Sequence, residues 1–232
     1  MRYRNYALAI IFASLQLVLV GIARGDDTSE AIEAGNEAFH RGQYEQAIFL
    51  YRGVLAWHGP HQARAYFNIG VSQYRLGRLR EAVVEYREAI RYRNGRYPAA
   101  SYALGIALEK LGESEEALEA FRQTVKASGG KHAEAIFELA LAAQRNGQFE
   151  EAADYYRQAV RESKDRLPAC HNNLGVILAI YGDWNEAERE FRLALKGSKN
   201  RLAEARDNLE RCRRADTPPL LAALPARSLN CE

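Results

Sequence analysis

Gly70 to Tyr86 reads GVSQYRLGRLREAVVEY. Thirty-five residues on, Gly105 to Phe121 reads GIALEKLGESEEALEAF, and two further periods on, Gly175 to Phe191 reads GVILAIYGDWNEAEREF. The first glycine, a second glycine, an alanine and an aromatic keep the same places in each. Extending the register outward gives five copies. The turn glycines are Gly42, Gly77, Gly112, Gly147 and Gly182. The alanines are Ala47, Ala82, Ala117, Ala152 and Ala187. The aromatics are Tyr51, Tyr86, Phe121, Tyr156 and Phe191, and the leading small residues are Gly35, Gly70, Gly105, Ala140 and Gly175. A fixed period of this size is the mark of a repeat architecture.

Each recurring position has a physical reading. A glycine just past a helix C-terminus enters the left-handed conformation without penalty, so Gly42 to Gly182 each end one helix and open a tight turn. Acids such as Glu150 and Glu151 then sit in the first turn of a second helix, where the helix dipole favours them. The alanine is small because two helices approach there, and a larger side chain would overpack the contact. The aromatic four residues on shares its helix face and fills the space between helices. Pro98 and Pro168 fit the first positions of helices, and Asp27 with Glu30 fits a capping pair. A single hairpin cannot bury its apolar face, but stacked hairpins can. Repeats are expected at about 28–62, 63–97, 98–132, 133–167 and 168–200, with a polar-backed capping helix over 201–214.

Outside residues 27–214 the pattern stops. Arg2 and Arg4, the uncharged run Ala7–Val20 and the small residues Gly21 and Ala23 have the three parts of a secretory signal, so residues 1–25 are read as an export signal. The alternative is a retained anchor over residues 7–23, at the lower length limit for a bilayer span. Either reading puts the repeats outside the cytoplasm, with the periplasm as the expected compartment. No cysteine follows the run, which excludes a bacterial lipid anchor at that point. At the other end, Pro218, Pro219 and Pro225 bar helix from residues 215–232, and a disordered tail is expected. Its apolar Leu220–Leu224 segment could enter a groove of this chain or of a neighbour.

The formal charge is +2, and without Arg2 and Arg4 the chain has 30 basic and 30 acidic residues. That balance argues against a nucleic-acid partner. The three cysteines, Cys170, Cys212 and Cys231, have no metal-ligand spacing. His58 and His61 lack a third ligand, and Cys170 and His171 are helix neighbours that do not face each other. No nucleophile–base pair, metal cluster or phosphate loop is visible. The sequence therefore reads as a binding protein with no cofactor, no metal and no catalytic residue.

The Leu-Gly pairs at Leu104-Gly105 and Leu174-Gly175, with the turn glycines, alanines and aromatics, resemble the tetratricopeptide repeat family over about residues 27–214. The period here is 35 where 34 is usual. Tyr66 and Ile136 stand where tryptophan is typical, and the closing proline is displaced or absent. The resemblance implies an all-α, right-handed solenoid of five helix–turn–helix repeats plus the capping helix. It also implies a concave groove lined by first helices, which binds a protein or peptide partner.

By that resemblance the groove would present Ile32, Phe67, Tyr102, Phe137 and Asn172, and one turn on Asn36, Val71, Ile106, Leu141 and Val176. Tyr74 and a basic rail of Arg75, Lys110 and Arg145 would border it. The alternative reading makes some of these side chains core between adjacent helices. Some family members clamp a C-terminal carboxylate through lysine, two asparagines, lysine and arginine. Asn36 and Asn68 match the asparagines, but Ile32, Ala99 and Ala103 occupy the charged slots, so recognition of that type is rejected. The arginines of the second repeat, from Arg75 to Arg96, fit either a solvated face or contact with lipid headgroups or an acidic partner. The expected function is an exported scaffold that holds a peptide or protein. Self-assembly into a homo-oligomer and service as an accessory subunit of an envelope complex are the alternatives. Membrane contact is expected only through an uncleaved N-terminal segment.

Overall fold

Turn glycines set the local structure. Gly42, Gly77, Gly112, Gly147 and Gly182 all have positive φ, between 73° and 85°. At four of the five turns a backbone N–H one residue later closes onto a carbonyl five residues back. These are Gln43 to Ala38, Arg78 to Gln73, Gln148 to Ala143 and Asp183 to Leu178, each at 2.9 Å. The closure satisfies carbonyls that a helix end leaves open. That same residue is the N-cap of a second helix, so these four hairpins turn within three residues.

The computed structural model describes residues 27–57 and 61–214. Among them are eleven helices and no strand. The first hairpin is α1 (Asp27–His40) and α2 (Tyr44–Leu55) and the second α3 (Gln62–Arg75) and α4 (Leu79–Tyr92), while the third repeat supplies α5 (Pro98–Leu111) and α6 (Ser114–Ala127). The fourth is α7 (Ala133–Arg145) and α8 (Phe149–Ser163), the fifth α9 (Pro168–Ile180) and α10 (Trp184–Gly197), followed by α11 (Ala203–Arg214). Pro98 and Pro168 begin their helices. The Asp27 side chain, His58, the N-terminal segment and the tail lie outside the described residues. The chain divides after Gly112 into two compact units. Unit 1 holds α1–α5 and unit 2 holds α6–α11.

Inside each unit the recurring residues form the core. The five alanines and five aromatics are all buried. The leading glycines yield space to the rings. A methyl group on Gly70 would lie 2.6 Å from Tyr86 Cε1, and one on Gly175 would lie 2.7 Å from Phe191 Cε1. Carbon atoms do not approach that closely, so glycine at these sites lets the ring lie flat on the first helix. Gly35 stands in the same relation to Tyr51.

The last helix covers what would otherwise be an open end of unit 2. Leu202, Ala205, Leu209 and Cys212 are buried, while Glu204, Arg206, Asp207, Glu210, Arg211 and Arg213 are exposed. Arg213 Nε reaches Glu188 Oε1 of α10 at 2.8 Å. Burial pushes the Cys170 thiol well above the usual cysteine range, which keeps it protonated and weakly nucleophilic. The adjacent imidazole turns elsewhere: His171 Nδ1 lies 2.6 Å from Glu190 Oε2 and Nε2 lies 3.5 Å from Asp165 Oδ1.

Candidate functional site

The first helices carry the expected groove positions, and the two units treat them differently. In unit 1, Asn36, Phe67, Val71, Tyr74, Tyr102 and Ile106 are half-buried, and Arg75 and Lys110 are exposed. Ile32 is fully buried and packs with Ala47, Ile48, Tyr51 and Ile69. In unit 2, Phe137, Leu141, Asn172 and Val176 are all buried, and Arg145 is exposed. Phe137 packs on Tyr156 with ring centroids 5.9 Å apart, inside the main core cluster. Ile32, Phe137, Leu141, Asn172 and Val176 are therefore core side chains in this structure. The expected aromatic ladder reduces to Phe67 and Tyr102 of unit 1.

A cavity of about 280 Å³ opens between α1, α2 and α3. Phe39, Phe67 and Val71 give it apolar walls, and Asn36, Asn68, His40 and the Tyr51 hydroxyl give it polar ones. The Tyr51 hydroxyl donates to Asn36 Oδ1 at 2.9 Å, and Asn68 Nδ2 donates to the same oxygen at 3.1 Å. Asn36 Nδ2 donates to Glu33 Oε2 at 3.3 Å, and Glu33 in turn pairs with Arg64 at 3.3 Å. Burial holds the Tyr51 hydroxyl above the usual phenol range, partly offset by Asn68, so it remains a neutral donor. Asn36 is thus fixed on both sides. No described donor reaches the Asn68 side-chain oxygen. A half-buried amide oxygen beside an apolar cavity is suited to accept a ligand N–H.

Two exposed cations lie further along the first helices, Arg75 on α3 and Lys110 on α5. Lys110 Nζ sits 4.6 Å from the centre of the Tyr74 ring. Arg75 makes no ion pair within the described residues. Phe67 is steadied by Tyr86 at 5.9 Å and Tyr97 at 5.4 Å between ring centroids.

Unit 2 has the same elements in a closed form. The Tyr156 hydroxyl donates to Gln144 Oε1 at 2.6 Å and accepts from Asn173 Nδ2 at 3.1 Å. Asn173 Oδ1 accepts from Asn172 Nδ2, and Asn172 Oδ1 accepts from Asn208 Nδ2, both at 3.1 Å. All five residues are buried.

Asn68, Asn173 and Asn208 share one repeat position, as do Tyr51 and Tyr156. That coincidence is the signal that could have found the cluster from sequence. Phe39 and His40 carry no such signal. Among the described residues no group of three His, Cys, Asp or Glu side chains is placed to hold a metal ion.

Solved structures with the same fold are numerous. MamA from Desulfovibrio magneticus RS-1 is 22% identical, with a TM-score of 0.61, and the match covers 78% of this chain and 99% of that one. YrrB, described as a TPR protein with an unusual peptide-binding site, is 20% identical, with a TM-score of 0.59, covering 76% and 89%. PilF of Pseudomonas aeruginosa is 19% identical, with a TM-score of 0.65, covering 83% and 92%. Identities this low speak to fold alone. No curated protein shows significant sequence similarity to the chain. The tetratricopeptide repeat model matches residues 32–99, 72–132, 102–166 and 137–201, overlapping spans that cover most of the chain. With hairpins of this geometry in both units, the chain belongs to the tetratricopeptide repeat family.

Proposed function

We propose that this protein is an exported, non-catalytic scaffold that holds an extended peptide segment of a protein partner in the open groove of unit 1. The observation that carries the reading is the unspent Asn68 amide oxygen beside a cavity walled by Phe39, Phe67 and Val71. Asn68 accepts a backbone N–H of the peptide. An apolar side chain enters the cavity, and Arg75 and Lys110 favour acidic residues along the rim. The likeness in fold to YrrB, a protein described by its peptide-binding site, supports a peptide as ligand. The N-terminal signal reading supports a periplasmic setting, with an inner-membrane anchor over residues 7–23 as the variant form.

Selection of a random displayed-peptide library on the full-length chain tests this. Enriched peptides should carry an apolar residue flanked by acids. They should lose at least tenfold in affinity for Val71→Trp, which fills the cavity, or for Asn68→Leu, on the order expected for one lost buried contact. Peptides that bind Val71→Trp as well as the parent would place the site elsewhere. Fractionation of cells expressing the tagged chain tests export separately, and recovery in the cytoplasm would refute it.

A further inference from the structure

A second surface lies at the loops that join one repeat to the next. In unit 2 these connect α6 to α7, α8 to α9 and α10 to α11. Two rows of cations meet there at the repeat spacing. One is Lys126, Arg161 and Lys196 in the last turns of α6, α8 and α10. The other is Lys131, Arg166 and Arg201, two residues before α7, α9 and α11. Lys164 and Lys199 add to them. All eight are exposed, and none has an acidic partner among the described residues.

The fold explains the first row directly, because a helix C-terminus favours a cation. The second row stands before helix N-termini, where the dipole disfavours positive charge. Lys164 and Lys199 have φ of 53°, a left-handed conformation that Gly129 occupies at the equivalent place. A lysine there is less favourable than glycine. Arg166 and Arg201 are held in place through Nε, to Ser163 O at 2.9 Å and Ser198 O at 3.2 Å. The ends of α8 and α10 thus account in part for Lys164, Lys199, Arg166 and Arg201, while Lys131 has no such bond, and all of them leave their charge exposed and unpaired among the described residues.

We propose that the inter-repeat loops of unit 2 form a cationic edge that adsorbs to an anionic phospholipid bilayer. Regular point charges on one edge suit a plane of phosphates and call for no sequence-specific partner. The inference is independent of the groove in unit 1.

Co-sedimentation of the full chain with vesicles decides it. Vesicles of phosphatidylglycerol with phosphatidylethanolamine are compared with neutral phosphatidylcholine vesicles. Insertion of the apolar N-terminal segment adds to both, so the ratio reports the edge. The chain should prefer the anionic vesicles by roughly tenfold or more, and about 0.5 M salt should abolish the preference. The triple variant Lys131→Glu, Arg166→Glu, Arg201→Glu should lose it. So should Lys164→Gly with Lys199→Gly in part, a pair that the left-handed backbone accepts without strain. Equal partition onto both vesicles, or variants that keep the preference, would overturn the proposal. Binding to soluble polyphosphate with no preference for anionic vesicles would overturn it in favour of a dissolved polyanion.

Discussion

Tyr51 with Asn68 in unit 1 and Tyr156 with Asn173 in unit 2 are the same pair of repeat positions, three repeats apart, put to opposite uses. In unit 2 the amide of Asn173 is consumed by Tyr156 and Asn172, and Asn208 of the last helix completes the chain of hydrogen bonds. In unit 1 the partner is Asn36, a cavity adjoins it, and one amide oxygen is left over. On the function proposed above, the difference is how a repeat would turn a packing device into a binding device. The ring is kept and the network is left incomplete.

The largest expected effect tests what the two regions share. Tyr51→Ala and Tyr156→Ala each remove a fully buried ring, and each should cost about 3–5 kcal/mol in urea unfolding. A much smaller loss in unit 1 would mean its ring is not core. The next tests what they do not share. Asn172→Ala strands Asn208 Nδ2 and Asn173 Oδ1 inside the protein and should cost about 1–3 kcal/mol. Asn36→Ala, beside an open cavity that water can enter, should cost less than about 1 kcal/mol, while peptide binding falls. Equal losses in stability would erase the contrast.

A smaller effect separates two helix starts. His132 caps α7 by accepting from Ala135 N at 3.3 Å, whereas His61 caps α3 with no such bond. His132→Ala should therefore cost about 1 kcal/mol and His61→Ala close to nothing. Burial lowers the His132 pKa despite nearby Glu134, so the imidazole is neutral where it caps. The unfolded chain takes up that proton more readily. The contribution is then complete above the ordinary imidazole range and is lost as pH falls through it. Thermal unfolding from pH 8 to pH 5, at about the histidine range, should show this slope in the parent and not in His132→Ala. The smallest expected change is in Val71→Trp, whose side chain enters an existing cavity and should leave the unfolding midpoint unchanged while abolishing binding.

The fold class was legible because its signal is redundant. A glycine that must adopt positive φ and a ring that faces a small residue, glycine in four repeats and Ala140 in the other, recur at one spacing, and each constrains the other. The groove was legible only in part. Periodicity places Phe67 and Phe137 at the same position, yet cannot say that Phe137 closes onto Tyr156 in a buried network while Phe67 borders a cavity. That depends on the neighbours, and the neighbours vary between repeats: Asn36 becomes Val71 and Val176 one and four repeats later. The cationic loop rows were present in the sequence at the same spacing. That they are exposed, unpaired and gathered at the loops appears only when the helix ends are placed.

The most direct test of the central claim places a photo-crosslinking residue at position 67 in one strain and at position 137 in another, and compares the adducts formed in living cells. Adducts with one foreign protein from position 67, absent from position 137 and lost on adding Val71→Trp, are the predicted result. Equal adducts from both positions, or adducts from position 137 alone, would contradict the assignment of the open groove to unit 1.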